Sequence, residues 1–155
     1  MQRLLEKGAD VAAASNEGWT PLKSASSNGH VDVVRLLLEK GADVTAASNE
    51  GWSILHSASS NGHVDIVKLL LEHDADIAAK DTIGWTPLFH ASKNGDEATI
   101  ELLLATNRVD VDLVDYYNST PLLITARIGY RDVAAFLLTN SHALNVEDNF
   151  SRTLL

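Results

Sequence analysis

The sequence predicts an all-α array of stacked helix pairs, and three observations carry that prediction. The chain is self-similar at a fixed period: residues 18–50 and 51–83 align without a gap and agree at 20 of 33 positions, and residues 4–18 match 37–51 at 14 of 15. Thr20, Ser53, Thr86, Thr120 and Thr153 occupy one frame position at intervals of 33, 33, 34 and 33 residues, the extra residue falling within 105–109. All nine glycines and all three prolines obey the same frame. A period of this length marks an architecture in which each unit buries its apolar face by stacking on its neighbours.

Each element follows from local chemistry. The first helix of a unit covers roughly 21–28. Thr20 caps it and Pro21 pre-sets the first helical φ, as Thr86-Pro87 and Thr120-Pro121 do later. Leu22 and Ala25 are its apolar positions, and Gly29 ends it where a left-handed residue is cheapest. The second helix covers roughly 31–39, with Asp32, Arg35 and Glu39 forming one polar stripe on an otherwise apolar surface. Gly41 ends it. Gly18, Gly51 and Gly84 sit in a turn before the next cap, and Asn118 at this position is the next most tolerant residue for positive φ.

Together these anchors read Gly18-Trp-Thr-Pro-Leu22, Asn28-Gly-His30, Val34-Arg-Leu-Leu-Leu38 and Gly41-Ala-Asp-Val44. The unit resembles the ankyrin repeat, whose period and signature it shares along essentially the whole chain. The resemblance implies an ankyrin-repeat solenoid: antiparallel helix pairs side by side, β-hairpin loops projecting from one edge, and a concave groove between hairpin tips and first helices that binds partner proteins. One domain spans 1–155, with full repeats at 18–50, 51–83, 84–117 and 118–150 and partial ones at 1–17 and 151–155. No polar cap is evident at either end, so the economical expectation is a segment of a larger protein. Unpaired apolar flanks would then favour end-to-end association through the Phe136, Leu137 and Leu138 side. The frame also has departures. Ser53-Ile54 replaces Thr-Pro, Asp74 replaces the helix-ending glycine, and the family's Thr-Pro-Leu-His histidine is present only as His56, with Lys23, Phe89 and Leu123 in the other copies.

Composition narrows the function. Twelve Lys and Arg against 21 Asp and Glu give a net charge of −9, which argues against a nucleic-acid backbone or an anionic membrane as the main partner. No apolar run is long enough to span a bilayer, and the N-terminus lacks the apolar core of a signal peptide. The absence of cysteine removes disulfides, thiolate nucleophiles and Cys-based zinc sites, so a cytoplasmic, intracellular domain is expected. No nucleotide, hydrolase or metalloprotease motif occurs, and neither a cofactor nor a metal is expected. His30 with Asp32 and His63 with Asp65 are the sharpest catalytic candidates, but equivalent residues of adjacent repeats stand about 8–10 Å apart, too far to share a zinc ion. His30 and His63 are instead expected to bond backbone at the inter-helix turn. His56, by the resemblance, bonds its loop, while His73, His90 and His142 belong to no constellation.

The reading is therefore a non-catalytic interaction scaffold whose partner is another protein. The alternative is a regulatory or substrate-docking segment of a larger enzyme. Candidate binding positions are those the frame leaves free and the resemblance places on the concave side. Trp19, Trp52 and Trp85 precede the capping position. Glu17, Glu50, Ile83 and Tyr117, with Tyr116 beside them, mark the hairpin tips. Asn28, Asn61, Asn94 and Ile128 end the first helices. Three tryptophans in register supply the kind of surface that forms hot spots. The competing reading is that they pack along the hairpins and record recent duplication.

Overall fold

The computed structural model describes residues 10–141, so expectations about the first and last partial units, His142 among them, lie outside the described residues. Four helix pairs follow one another: α1 (Pro21–Ser27) with α2 (Val31–Glu39), α3 (Ile54–Ser60) with α4 (Val64–Glu72), α5 (Pro87–Asn94) with α6 (Glu97–Ala105), and α7 (Pro121–Ile128) with α8 (Arg131–Asn140). The inner helices α1, α3, α5 and α7 stack in chain order, each against its own outer partner, and the outer helices α2, α4 and α6 touch in the same order. This is the all-α solenoid that the period predicts.

The caps form as the sequence implies at Thr20 and Thr120, whereas Thr86, expected to cap α5 in the same way, makes no side-chain cap bond and leaves that start to Pro87. Thr20 Oγ1 accepts from the Lys23 amide at 3.2 Å, and Thr120 Oγ1 from the Leu123 amide at 3.2 Å. Where Ser53 replaces threonine and proline is missing, His56 completes a reciprocal cap: its amide donates to Ser53 Oγ at 3.3 Å while its Nδ1 accepts the Ser53 amide at 3.1 Å. Asp74 keeps the left-handed turn of the missing glycine, at φ 60°, and Asn118 adopts φ 61° as expected. The extra residue of the third repeat is absorbed just beyond α6, where Asn107 takes φ 54° and Thr106 Oγ1 accepts the Arg108 amide at 3.2 Å.

Packing explains the remaining anchors. Leu37, Leu70, Leu103 and Leu137 share one frame position and are all buried, as are Leu22, Leu55, Leu88 and Leu122. The leucines flanking the first row are less uniform. Leu36, Leu71, Leu102 and Leu104 are half-buried and Leu138 is 44% exposed. Of the side expected to associate end to end, Phe136 is half-buried and Leu137 is buried, leaving Leu138 as the exposed member. Each repeat also reaches back across the seam. His63 donates Nε2–H to the Ser27 carbonyl at 3.1 Å, and a Cβ on Gly29 would come within 2.9 Å of its ring. Asn-Gly-His is thus one device: the glycine, at φ +75°, both turns the chain and leaves room for the next repeat's imidazole. The expected backbone bond of His63 therefore exists, and it crosses between repeats. His30 is exposed.

The hairpins are shorter than the resemblance implies. Each is closed by two backbone bonds, such as Ser48 N–H to Trp52 O at 3.1 Å with Gly51 N–H to Ser48 O at 2.9 Å, and Asp81 N–H to Trp85 O with Gly84 N–H to Asp81 O, both at 3.0 Å. Among the described residues strand pairing amounts to a single isolated antiparallel bridge, Ala47 with Ser53. Neighbouring hairpins are tied directly, Thr82 N–H to Glu50 O at 3.2 Å and Tyr116 N–H to Ile83 O at 3.1 Å.

Candidate functional site: the groove between hairpins and inner helices

The hairpin tips are shaped by one side chain per repeat, at the position of Ser15, Ser48, Asp81 and Asp115. Ser48 Oγ accepts the Trp52 amide at 3.3 Å, whereas Asp81 Oδ1 accepts the amides of Ile83 and Trp85 at 3.0 and 2.9 Å. Asp115 Oδ1 does the same for Tyr117 and Ser119, both at 2.8 Å. Turn geometry thus positions the residue four places on, a tryptophan in three repeats, at the edge facing the inner helices.

Tertiary contacts then make the three tryptophans unlike one another. Trp19 is 38% exposed, with the Lys23 ammonium 4.6 Å from its ring centroid. Trp52 is half-buried: its Nε1–H donates to Ser57 Oγ at 2.8 Å and the ring lies edge-on to His90 at 4.3 Å. Trp85, also half-buried, donates Nε1–H to Asp115 Oδ2 at 2.8 Å and stacks on Phe89 at 5.8 Å. The uniformly available row expected from the sequence is therefore one presented ring followed by two that also serve as walls.

Between hairpins and inner helices lie three successive recesses that share these walls. The first, about 500 Å³, is bounded by Glu17, Trp19, Lys23, Glu50 and Trp52. The second, about 330 Å³, lies between Trp52 and Trp85, with Glu50, Asp81, Ile83, His90, Lys93 and Asn94 among its other walls. The third, about 210 Å³, is lined by Ile83, Trp85, Tyr117, Ile124 and Arg127. Of the candidate positions, the groove thus gathers the tryptophans, Glu17, Glu50, Ile83, Tyr117 and Asn94. Four others are exposed but do not line it: Tyr116, Asn28, Asn61 and Ile128. Tyr116 folds back over Gly84, where a Cβ would meet its ring at 2.9 Å. Asn28 and Asn61 bond carbonyls of their own helices, Ser24 and Ser57, at 2.8 Å.

One expectation is corrected here. His90, read from the sequence as belonging to no constellation, is the centre of one. Its Nε2 is 2.9 Å from Asp81 Oδ2, with Trp52, Trp85 and His56 rings around it. The signal was legible as two departures nine residues apart, Asp81 at the position of Ser48 and His90 at the position of Ser57. Burial drives the His90 pKa down, and the Asp81 carboxylate only partly offsets it. Burial raises Asp81, but the bonds from His90, Trp85 and Ile83 outweigh this and hold it below the usual carboxylate value. The neutral imidazole therefore donates to an ionised carboxylate. His56 is lowered to about 4, chiefly by burial. Lys23 is lowered by burial, with Glu50 opposing. The row Ser27, Ser60, Lys93, Arg127, one residue before Asn28, Asn61, Asn94 and Ile128, is a second feature that sequence reasoning passed over.

The arrangement offers shape, aromatic surface and fixed charge. Among the described residues no group of three His, Asp or Glu side chains could hold a metal ion, and no helix is long and apolar enough to cross a membrane. A family model described as ankyrin repeats (3 copies) matches residues 1–81, more than half of the chain, and one described as ankyrin repeats (many copies) matches 62–104 and 88–138. No curated protein matches the chain. Repeats of this kind are generally protein–protein interaction modules and are typically not enzymes. With the helix pairs, caps and inter-repeat ties in place and the family models covering both halves, the chain belongs to the ankyrin repeat family.

Proposed function

We propose that this array is a non-catalytic scaffold that binds another protein in the groove between its hairpin tips and inner helices. The observation that carries the reading is the continuity of the three recesses, in which Trp52 and Trp85 each form a wall common to two neighbours. A preformed trough of this kind binds without the ordering cost that a flexible surface meets. Trp19 is the natural anchor because its ring is exposed and its indole N–H has no partner among the described residues.

The test compares variants in partner capture, followed by measured affinity for the partner recovered. Trp19→Ala should weaken binding by about tenfold or more, the range of a truncated aromatic hot spot. Lys68→Ala, on the exposed stripe of α4, should leave affinity unchanged. Equal binding by parent and Trp19→Ala, with Lys68→Ala weakened, would move the site to the outer helices. Trp52→Ala is the poorer probe, since it also removes the bond to Ser57 and the contact with His90.

A further inference from the structure

The recess between the first two hairpins departs from the other two in its walls and in its charge. At the second and third seams the hairpin tips are joined by a backbone bond, Thr82 N–H to Glu50 O and Tyr116 N–H to Ile83 O. At the first seam the equivalent pair, Asn49 N–H and Glu17 O, is not bonded among the described residues, and the Asn49 side-chain amide reaches Asn16 O instead, at 3.3 Å. Beneath this looser seam lies the largest of the three recesses, about 500 Å³. Glu17 and Glu50 both border it and both are exposed. Neither makes an ion pair among the described residues, where Asp81–His90 is the sole contact at that distance. The cation in its wall, Lys23, is buried, donates to the Trp52 carbonyl at 2.7 Å and lies 4.6 Å from the Trp19 ring centroid. One ammonium beside two carboxylates leaves the recess negative, in a chain whose net charge is −9.

Resting on the reading of this groove as the protein-binding surface, we propose that the first recess seats an arginine side chain of the partner protein, its guanidinium held between Glu17 and Glu50. Lys23 already takes one side of the Trp19 ring, so the ring offers the newcomer apolar surface rather than a site for its charge. Trp19 and Trp52 border the aliphatic stem, and the two carboxylates meet the head. Those carboxylates stand on adjacent repeats. A planar group with donors along several edges can serve both at once, whereas a lysine ammonium is a compact and strongly hydrated point charge. With no backbone bond joining the two tips, each carboxylate can adjust to the shared cation. At the next tips Ile83 and Tyr117 replace the glutamates, so no other recess has two exposed carboxylates.

The experiment titrates the full chain with blocked arginine (acetyl-arginine methylamide) and follows the Trp19 indole N–H and the Glu50 amide by NMR, with blocked lysine and blocked glutamate alongside. Arginine should bind saturably, lysine about threefold or more weaker and glutamate not at all, and added salt should weaken the binding. Glu17→Gln and Glu50→Gln should each weaken it about two- to fivefold, the range of an exposed charge pair. Glu72→Gln, an equal loss of charge on the exposed side of α4, should leave it unchanged. Dispersion of the amide spectrum checks that the variants stay folded. Binding indifferent to both groove substitutions, equal for arginine and lysine, or centred on other residues overturns the proposal. If arginine fails while Trp19→Ala still weakens the captured partner, the proposal falls and the groove reading survives. If the partner is indifferent to Trp19→Ala and weakened by Lys68→Ala, both fall.

Discussion

His56 donates its Nε2–H to the carbonyl oxygen of Trp85, 2.9 Å away on the hairpin of the next repeat. Its Nδ1 accepts the Ser53 amide, which places the ring proton on Nε2. One imidazole therefore caps its own helix and ties down its neighbour. Lys23, at the same frame position one repeat earlier, performs the second task alone by donating to the Trp52 carbonyl at 2.7 Å. Phe89, the next residue in the row, has no donor and packs against Trp85, and there the tie is made by the Trp85 indole to Asp115 instead. Three different residue types thus hold successive hairpins against the stack.

The neutral state that His56 needs makes stability depend on pH. In the unfolded chain it takes up a proton near 6.5, but in the fold only near 4, because burial opposes the charge and the bond to the Trp85 carbonyl only partly offsets it. The unfolded state binds more protons between these values, so stability is full above about pH 6.5 and falls as pH drops toward 4. The loss at the acid end is on the order of 3 kcal/mol. Urea unfolding across this range should show the slope, and His56→Gln, which keeps a donor for Trp85 without titrating, should reduce it.

Trp85 and Trp19 should respond differently to loss of the indole N–H. Trp85→Phe removes a bond to a buried carboxylate and should cost about 1.5–3 kcal/mol. Trp19→Phe removes no such bond and should change stability by less than about 0.5 kcal/mol. Equal denaturation midpoints for the two variants would show that the Asp115 contact contributes nothing.

Leu70 is fully buried in the middle of the stack, and Leu70→Ala should destabilise by about 2–5 kcal/mol. Leu138→Ala, at a site 44% exposed, should cost clearly less. Thermal unfolding of both variants checks the ranking.

Ser26, Ser59 and Ser92 occupy one position of the inner helices, are fully buried, and have hydroxyls without a hydrogen-bond partner among the described residues. The fourth repeat has Ala126 there. Ser59→Ala should therefore be neutral or stabilising by up to about 1 kcal/mol, since a buried donor left unmade carries a desolvation cost. Ser57→Ala, two residues away, removes the acceptor of the Trp52 indole and should be destabilising. Chemical denaturation distinguishes the pair, and a Ser59→Ala variant less stable than Ser57→Ala would contradict the assignment.

The period, the two helices per unit, the turns, most of the caps and the leucine rows of the core were all readable from the sequence. All of these depend on residues a few positions apart: Thr20 acts on Lys23, Gly29 ends its own helix, and Leu37 faces inward because of helical periodicity. The tip positions Glu17 and Glu50, the tryptophan row and Tyr117 were legible for the same reason, as free places in a strict frame. What the tertiary structure alone decided was how equivalent residues diverge. Trp19, Trp52 and Trp85 share one frame position, yet Trp19 meets Lys23 of its own repeat, whereas Trp52 and Trp85 are held by His90 and Asp115, side chains that reach them from further along the stack. Likewise His90 gains its role from Asp81 nine residues earlier and from a ring of the preceding repeat. Period and propensity are local properties of a chain, whereas burial, charge and partnership at a seam belong to two repeats at once, and only their stacking brings the two together.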